Sequence, residues 1–470
     1  MSDREVVRIG FVPAKRFPFS TEWAVDLRGR VLRALSDVPD VEVVVPDESV
    51  VPFGLVQNDD DAAAAIPFFQ QQKVDGVLIV ALDFADEIAA ATIAKELGKP
   101  VLLFASKEGP LRPNGERISD SFCGTLSVAS ALRRRALPFT YGGIVFPEEK
   151  RFADEVSVFA AACAASRAFL GARVGQVGVR PERFETVAYD EAKLLRRFGQ
   201  KVVPVELSDM VLAAQGFSAD DERLVAALAS IKSEATAVKV SDGYVDRAGR
   251  LEVALRDFYQ RKRLNAMAVQ CWPSLRPQWG IMPCSLFGRL TDQGMMTACE
   301  VDVLGALDML TQYHAARQTT KPHFIDWTIQ HRSRPNTFLA WHCGNAPYSL
   351  RRPGTEVVLR NRWRGLDEPI PLEDDGAGAR EFQLRTGAVT LSRLVEDGGE
   401  YKMLITGGEI VDDPAPERGS HAWVEVPDLD KLYNTLIDEG FIHHASLIHG
   451  DHRRALREFC RFVGVKTVVV

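Results

Sequence analysis

Apolar positions along the first two thirds of the chain follow two alternating patterns. Short continuous apolar runs occupy 6–12, 41–45, 76–81 and 101–104. Runs of that length suit strands covered on both faces. Between them, 21–35, 61–72 and 84–97 carry apolar residues at helical spacing, with Thr21 and the acidic stretch 59–61 placed to start helices and Gly98 placed to stop one. Strand–helix alternation of this kind predicts a parallel sheet with helices on both sides. The pattern restarts near Tyr141. Here 143–146, 173–177, 202–205 and 266–270 read as strands, and 149–170, 190–198, 220–230, 250–261 and 303–317 as helices. After about residue 350 the texture changes. Short runs at 355–360, 379–385, 389–394, 401–406 and 422–426, separated by Gly, Pro and Asp, predict antiparallel strands of a small barrel or sandwich. A helix at 451–462 and a strand at 466–470 close the chain. The expected organisation is an N-terminal α/β domain over 1–145, a second α/β domain over 146–318 and a β-rich domain over 319–470.

Composition narrows the function classes. The chain has 470 residues, 46% of them hydrophobic and 26% charged, with a net charge of −7. An acidic balance argues against a nucleic-acid binder, which needs a basic face. The opening MSDREVVR has no apolar signal core, and no apolar run approaches the roughly 18 residues of a membrane span. A cytoplasmic protein with no membrane partner is expected. The seven cysteines are scattered and form no CxxC pair, so each reads as a reduced core residue. All nine histidines lie at or after His314, so any imidazole chemistry must come from the last third of the chain.

Several motifs carry no chemistry. The glycines at 171, 175 and 178 look like a dinucleotide loop, but the Arg180-Pro-Glu-Arg-Phe184 that follows does not open a helix. Arg133-Arg134-Arg135 reads as a solvated helix face or a subunit contact. Cys299 stands against Glu300, where a reactive thiolate is disfavoured. Phosphate-loop, nucleophile-elbow and zinc-helix motifs are missing from the sequence.

The informative stretch is 266–345. Glu300 and Asp302 follow an apolar run and precede an amphipathic helix, the place where α/β sheets present ligand sites. Asp302 also suits the cap of that helix. Asp326 ends the apolar segment His323-Phe324-Ile325, His342 ends the run 338–341, and His443-His444 end the run 440–442. Two carboxylates and an imidazole at strand ends point to a hard divalent ion such as Mn²⁺ or Mg²⁺ rather than a thiophilic one. Gln270 and Trp272, at the end of a neighbouring strand, are candidate substrate contacts.

These residues carry a resemblance. Glu300-Val-Asp302, then Phe324-Ile-Asp326, then His443-His444 ahead of a closing helix and strand resemble the L-fucose isomerase / L-arabinose isomerase family, as do Val74-Asp75-Gly76 and Asp120-Ser-Phe122-Cys-Gly124. The resemblance covers most of the chain. It implies two Rossmann-like parallel-sheet α/β domains followed by a C-terminal β-barrel-like domain. It also implies a Mn²⁺ site (Mg²⁺ or Co²⁺ as substitutes) with Glu300, Asp326 and His444 as ligands. His342 is placed as the additional ligand of the arabinose branch, or as a hydrogen-bonding partner of the sugar oxygens. The chain is shorter than typical fucose isomerases and mixes features of both branches, which bears on the sugar more than on the chemistry.

The implied activity is aldose–ketose isomerisation through an enediolate, with Glu300 and Asp326 as the acid/base pair. The expected partner is a small sugar. A neutral one is the default, with a phosphorylated or sulfonated hexose as alternative because Arg351-Arg352 and 360–364 are rich in arginine. A non-catalytic sugar-binding or sensor protein and a metal-dependent hydrolase are the readings from other classes. The loop Lys15-Arg16-Phe17 is expected to reach a neighbouring subunit's site, in a homo-oligomer that is trimeric or hexameric by resemblance.

Overall fold

The computed structural model describes residues 5–360, 378–414 and 418–470. The chain forms two compact units, Met1–Arg167 with Arg457–Gly464, and Ala168–Leu456 with Val465–Val470.

The first unit is built on a five-stranded parallel sheet in the order Val41–Val44, Val7–Ala14, Gly76–Ala81, Val101–Ala105, Phe139–Ile144. Its central strand explains the unbroken apolar run. Val77, Ile79 and Ala81 enter one hydrophobic cluster, while Leu78 and Val80 enter the cluster on the opposite face. Both faces must therefore be apolar, and each fully buried aliphatic side chain contributes roughly 1.5–3 kcal/mol. Helices begin where side chains satisfy free backbone N–H groups. Ser20 caps Thr21–Ser36, Asn58 caps Asp59–Gln71 and Asp86 caps Glu87–Leu97, which Gly98 ends at φ 58°. The strand read at 143–146 as the start of a second sheet is instead the fifth strand of the first, paired in parallel with Val101–Ala105.

In the second unit, a parallel sheet runs in the order Met296–Cys299, Ala266–Val269, Arg173–Val177, Lys201–Val205. The second sheet of this unit closes on itself. Glu400–Ile410, Gly387–Asp397, His444–His449, His323–Gln330, Thr337–His342 and Ser420–Glu425 are paired in turn, and Ser420–Glu425 pairs back to Glu400–Ile410 through Glu409 and Ile410. The result is a six-stranded β-barrel, so the fold is mixed α/β with parallel-sheet layers and a C-terminal barrel. Its longest hairpin turns on Gly398-Gly399, both at positive φ (57° and 94°), a conformation that glycine adopts without strain.

The run 440–442 is not a strand. Gly440, at φ 65°, ends the helix Leu429–Asp438, and Phe441 N–H bonds back to Leu436 O while its ring packs on the barrel core. The apolar residues there belong to a helix cap. His444 therefore opens the strand His444–His449 instead of ending one. Asp326 likewise sits within the strand His323–Gln330, not at its end.

The helix Val303–Ala315 is buried along nearly its whole length. Gln312 donates to the Ser446 carbonyl (2.9 Å) and the Ser392 hydroxyl (2.9 Å), and the Ser392 hydroxyl donates to Asp308 (2.7 Å). These bonds tie the helix to the barrel.

Candidate active site

Glu300 follows the last residue of the strand Met296–Cys299. Glu300 and Val301 both adopt left-handed backbone conformations, at φ 60° and 59°. For non-glycine residues this costs about 1–2 kcal/mol each. Val301 is buried and Asp302 caps the next helix, accepting the Gly305 N–H at 2.7 Å. The strained turn aims the Glu300 carboxylate away from the strand. Its Oε1 accepts the Trp272 indole N–H at 2.8 Å, and its Oε2 lies 2.9 Å from His444 Nε2.

The barrel supplies the other groups. Asp326 is directly opposite His444 in antiparallel register, so both side chains share one face. Asp326 Oδ1 lies 3.7 Å from His444 Nε2. Asp326 is also opposite Trp341, and His342 ends that next strand. The His342 ring centroid is 6.5 Å from that of His444, with the Phe324 ring 5.5 Å and 4.8 Å from the two. The structure thus brings Glu300, Asp326, His444, His342 and Trp272 together.

His444 is held from behind. Its Nδ1 lies 2.9 Å from Asp302 Oδ2. Arg393 grips the same carboxylate with both guanidinium arms, at 2.6 and 3.0 Å. Asp302 and Arg393 are both buried. Burial alone would raise the Asp302 pKa, but Arg393 and His444 hold it well below the usual carboxylate range. An ionised Asp302 fixes the proton on Nδ1, so Nε2 turns toward Glu300 and Asp326. Burial opposes a charge on His444, yet its bonds to Asp302 and Glu300 push it up to about 9. Burial also works to raise Glu300, and His444 and His342 outweigh it and lower its pKa.

His444 Nε2 thus faces the Glu300 and Asp326 carboxylates, an arrangement in which a cation is favoured. A proton can be that cation, and so can a divalent ion. The donor set fits a hard divalent ion. Asp326 Oδ1 is buried with no hydrogen-bond partner among the described residues. One ligand atom each from Glu300, His443 and His444 lies within 4.8 Å of the others. Carboxylate oxygen and imidazole nitrogen are the ligands such an ion takes. His342 fits ligation less well. Its Nδ1 accepts the Cys343 N–H at 2.8 Å, so the neutral ring carries its hydrogen on Nε2 and offers a donor there. That Nε2 is also buried and without a partner among the described residues.

Other expected site residues lie elsewhere or are engaged. Gln270 is buried, its amide accepting from Val179 N–H (3.3 Å) and donating to Ser274 (3.3 Å). Arg16 belongs to the first unit, where it lies over the Phe84 ring at 4.8 Å and 3.5 Å from Glu87. Arg351 stacks on Tyr348, Arg352 pairs with Asp412 and Arg360 with Glu381. Residues 361–364 lie outside the described residues.

Two contributors, Phe184 and Arg393, escaped the sequence reading. Phe184 stands edge-on to Trp272 (5.1 Å) and packs near His443 (5.4 Å) and His444 (6.0 Å). His443 packs on His444 at 4.2 Å. Arg393 comes from a barrel strand with no local signal. Asp302, expected as a cap, is that and the partner of His444 as well.

Residues 10–169 match the fucose/sulfoquinovose isomerase N-terminal domain family. Residues 340–470 match the L-fucose isomerase C-terminal domain family. The chain is 26% identical over 429 residues to a sulfoquinovose isomerase of Alkalicoccus urumqiensis, covering 89% of this chain and 91% of that one. It is 24% identical over 466 residues to a sulfoquinovose isomerase of Priestia aryabhattai, covering 98% of each. A sulfoquinovose isomerase of Clostridium sp. (strain MSTE9) is 27% identical over 387 residues, covering 80% of this chain and 81% of that one. With both end domains matched and the carboxylates and histidine of its motifs gathered at one point, the chain belongs to the L-fucose isomerase-like family of aldose–ketose isomerases.

Proposed function

We propose that this chain interconverts a sulfonated aldohexose and its ketose by proton transfer between C1 and C2. The observation that carries the chemistry is the meeting of Glu300 and Asp326 in front of His444 Nε2. The names of the three relatives, all sulfoquinovose isomerases, support the sulfonated substrate over the neutral sugar expected by default.

In this reading Asp326 moves the carbon-bound proton, because its Oδ1 is not spent on a bond within the described fold. Glu300 is held by Trp272 and His444 and serves the oxygens at C1 and C2. His342 donates its Nε2–H to a sugar oxygen. The Trp272 and Phe184 rings form an apolar wall for sugar C–H groups. A bound Mn²⁺, with Mg²⁺ or Co²⁺ as substitutes, would add Lewis acidity toward those oxygens, held by Glu300, Asp326 and His444.

The test is ketose formation by the purified chain with Mn²⁺ from sulfoquinovose, L-fucose, L-arabinose and D-arabinose, repeated in D₂O. Turnover of the sulfonated sugar with deuterium entering the product is expected. Turnover of a neutral sugar alone would overturn the substrate, and product free of deuterium would overturn the proton-transfer route in favour of a hydride shift. Light scattering together with Arg16→Ala kinetics checks the expected trimer or hexamer and the role of the Arg16 loop in a neighbour's site.

A further inference from the structure

Scattered in sequence, four cysteines converge in the fold. Cys271 follows the strand Ala266–Val269, Cys284 opens the helix Cys284–Asp292, Cys299 ends the strand Met296–Cys299, and Cys343 follows the strand Thr337–His342. All four are buried. The Cys271 and Cys299 sulfurs lie 3.2 Å apart. Cys284 is within hydrogen-bonding reach of both Cys299 and Cys343. Three of these cysteines directly neighbour residues of the candidate site: Trp272, Glu300 and His342.

One ligand atom each from Cys271, Cys299 and Glu300 lies within 4.8 Å of the others. A tetrahedral ion with bonds of about 2.0–2.3 Å holds its ligands roughly 3.3–3.8 Å apart, so small side-chain shifts suffice. Two sulfurs and one carboxylate suit Zn²⁺ or Cd²⁺, whereas the oxygen and nitrogen set around Asp326 and His444 suits Mn²⁺. The Glu300 side chain is 12% exposed, which gives an ion a way in from the open side.

We propose that Cys271, Cys299 and Glu300 form a thiophilic metal site that shares Glu300 with the hard-metal centre, so that Zn²⁺ or Cd²⁺ bound there blocks isomerisation. On binding, two S–H bonds break, two metal–sulfur bonds form and two protons leave to water. Metal binding at the thiols stands independently of the isomerase reading. Only the inhibition rests on it.

The experiment uses the full chain carrying Cys123→Ser, which removes the exposed thiol. Cd²⁺ is titrated into the chain freed of other metals, the ultraviolet thiolate-to-cadmium charge-transfer band is followed, and isomerisation with Mn²⁺ is assayed alongside. One equivalent is expected to develop the band, and a further Cys271→Ser or Cys299→Ser is expected to abolish it. Cadmium NMR on the Cys123→Ser chain needs no core substitution and counts the sulfur ligands, with two expected. No band at stoichiometric Cd²⁺, or a resonance with only nitrogen and oxygen ligands, overturns the site. A band that forms while isomerisation continues at full rate overturns the sharing of Glu300. If no sugar is turned over under any metal, the isomerase reading fails while absorption and NMR still decide the site.

Discussion

Replacing Asp302 by Asn tests how the site is held. The substitution keeps the shape of the side chain but removes its charge. Arg393, only 1% exposed, loses the anion that it grips at 2.6 and 3.0 Å. An uncompensated buried charge costs about 3–5 kcal/mol. His444 loses the anionic acceptor of its Nδ1 proton. Loss of such a partner behind a metal-binding histidine typically lowers metal affinity about 10–100-fold. Two effects are therefore superimposed, and a second substitution separates them. Arg393→Met in the Asp302→Asn background removes the stranded guanidinium and leaves an apolar chain of similar length. Stability should return to within about 1 kcal/mol of the wild type. Mn²⁺ affinity should not return, because His444 still lacks its carboxylate.

Urea unfolding in the presence of a chelator reads the first effect. Electron paramagnetic resonance of free Mn²⁺ reads the second without any turnover. If the double variant regains metal affinity together with stability, Asp302 acts only as the counter-ion of Arg393. If Asp302→Asn alone binds Mn²⁺ as tightly as the wild type, His444 is not the ligand argued for.

Three further outcomes are expected. Burial outweighs the Ser392 hydroxyl and the nearby Arg393 and pushes Asp308 up to about 7. A carboxyl raised on folding contributes stability that is whole below its unfolded pKa, near 4, and is lost as pH rises through about 7. Between about pH 5 and about pH 8 the wild type should lose on the order of 3 kcal/mol relative to Asp308→Asn, seen as diverging urea midpoints; parallel midpoints would count against a buried neutral Asp308. His342→Asn should lower kcat while leaving Mn²⁺ binding close to wild type, since the ring presents an N–H donor at Nε2; a large fall in Mn²⁺ affinity would instead make His342 a ligand. Gly305→Ala should destabilise despite the roughly 1 kcal/mol gain in helix propensity. Its Cβ would meet Phe324 at 2.6 Å and Arg393 at 2.9 Å, and overpacking costs about 1–3 kcal/mol. A thermal melt at or above the wild-type temperature would refute that contact.

The sequence made the site partly visible because some of its residues sit where local pattern changes. Glu300 follows a parallel strand and His342 ends a barrel strand, and a break from apolar run to polar residue marks both. The continuous runs of the first unit were legible for the same reason, since burial on both faces leaves no polar alternation to confuse them. What stayed hidden depends on pairing at a distance. Asp302 and Arg393 are 91 positions apart, and nothing near Arg393 distinguishes it from a surface arginine on a strand. Barrel closure rests on Glu409 and Ile410 meeting Glu425 and Val424, which no periodicity encodes. The run 440–442 was misleading because the hydrophobic contact of a helix cap and the start of a strand share one composition. The cysteine cluster was invisible for the plainest reason: its four members come from four separate elements.

The bonding of Asp302 also indicates where sugar discrimination has to be sought. One oxygen accepts Gly305 N–H and one arm of Arg393, and the other accepts the second arm of Arg393 and faces His444 Nδ1. Four donors fill the acceptor capacity of one carboxylate. Hydrogen bonds to a charged group contribute about 1.5–3 kcal/mol each, so turning this side chain would forfeit several of them together. The strained pair Glu300–Val301 is fastened to the same residue along the backbone, and His444 is fastened to it through its ring. The reacting end of the site is therefore held in one geometry, and small changes in the sugar cannot be met by moving it. Phe184 is different: it is partly exposed, and it meets Trp272 and His443 through ring edges. Substitutions at Phe184 should shift KM between sulfonated and neutral sugars with kcat nearly constant, whereas substitutions at Asp302 or His444 should lower kcat for every sugar alike.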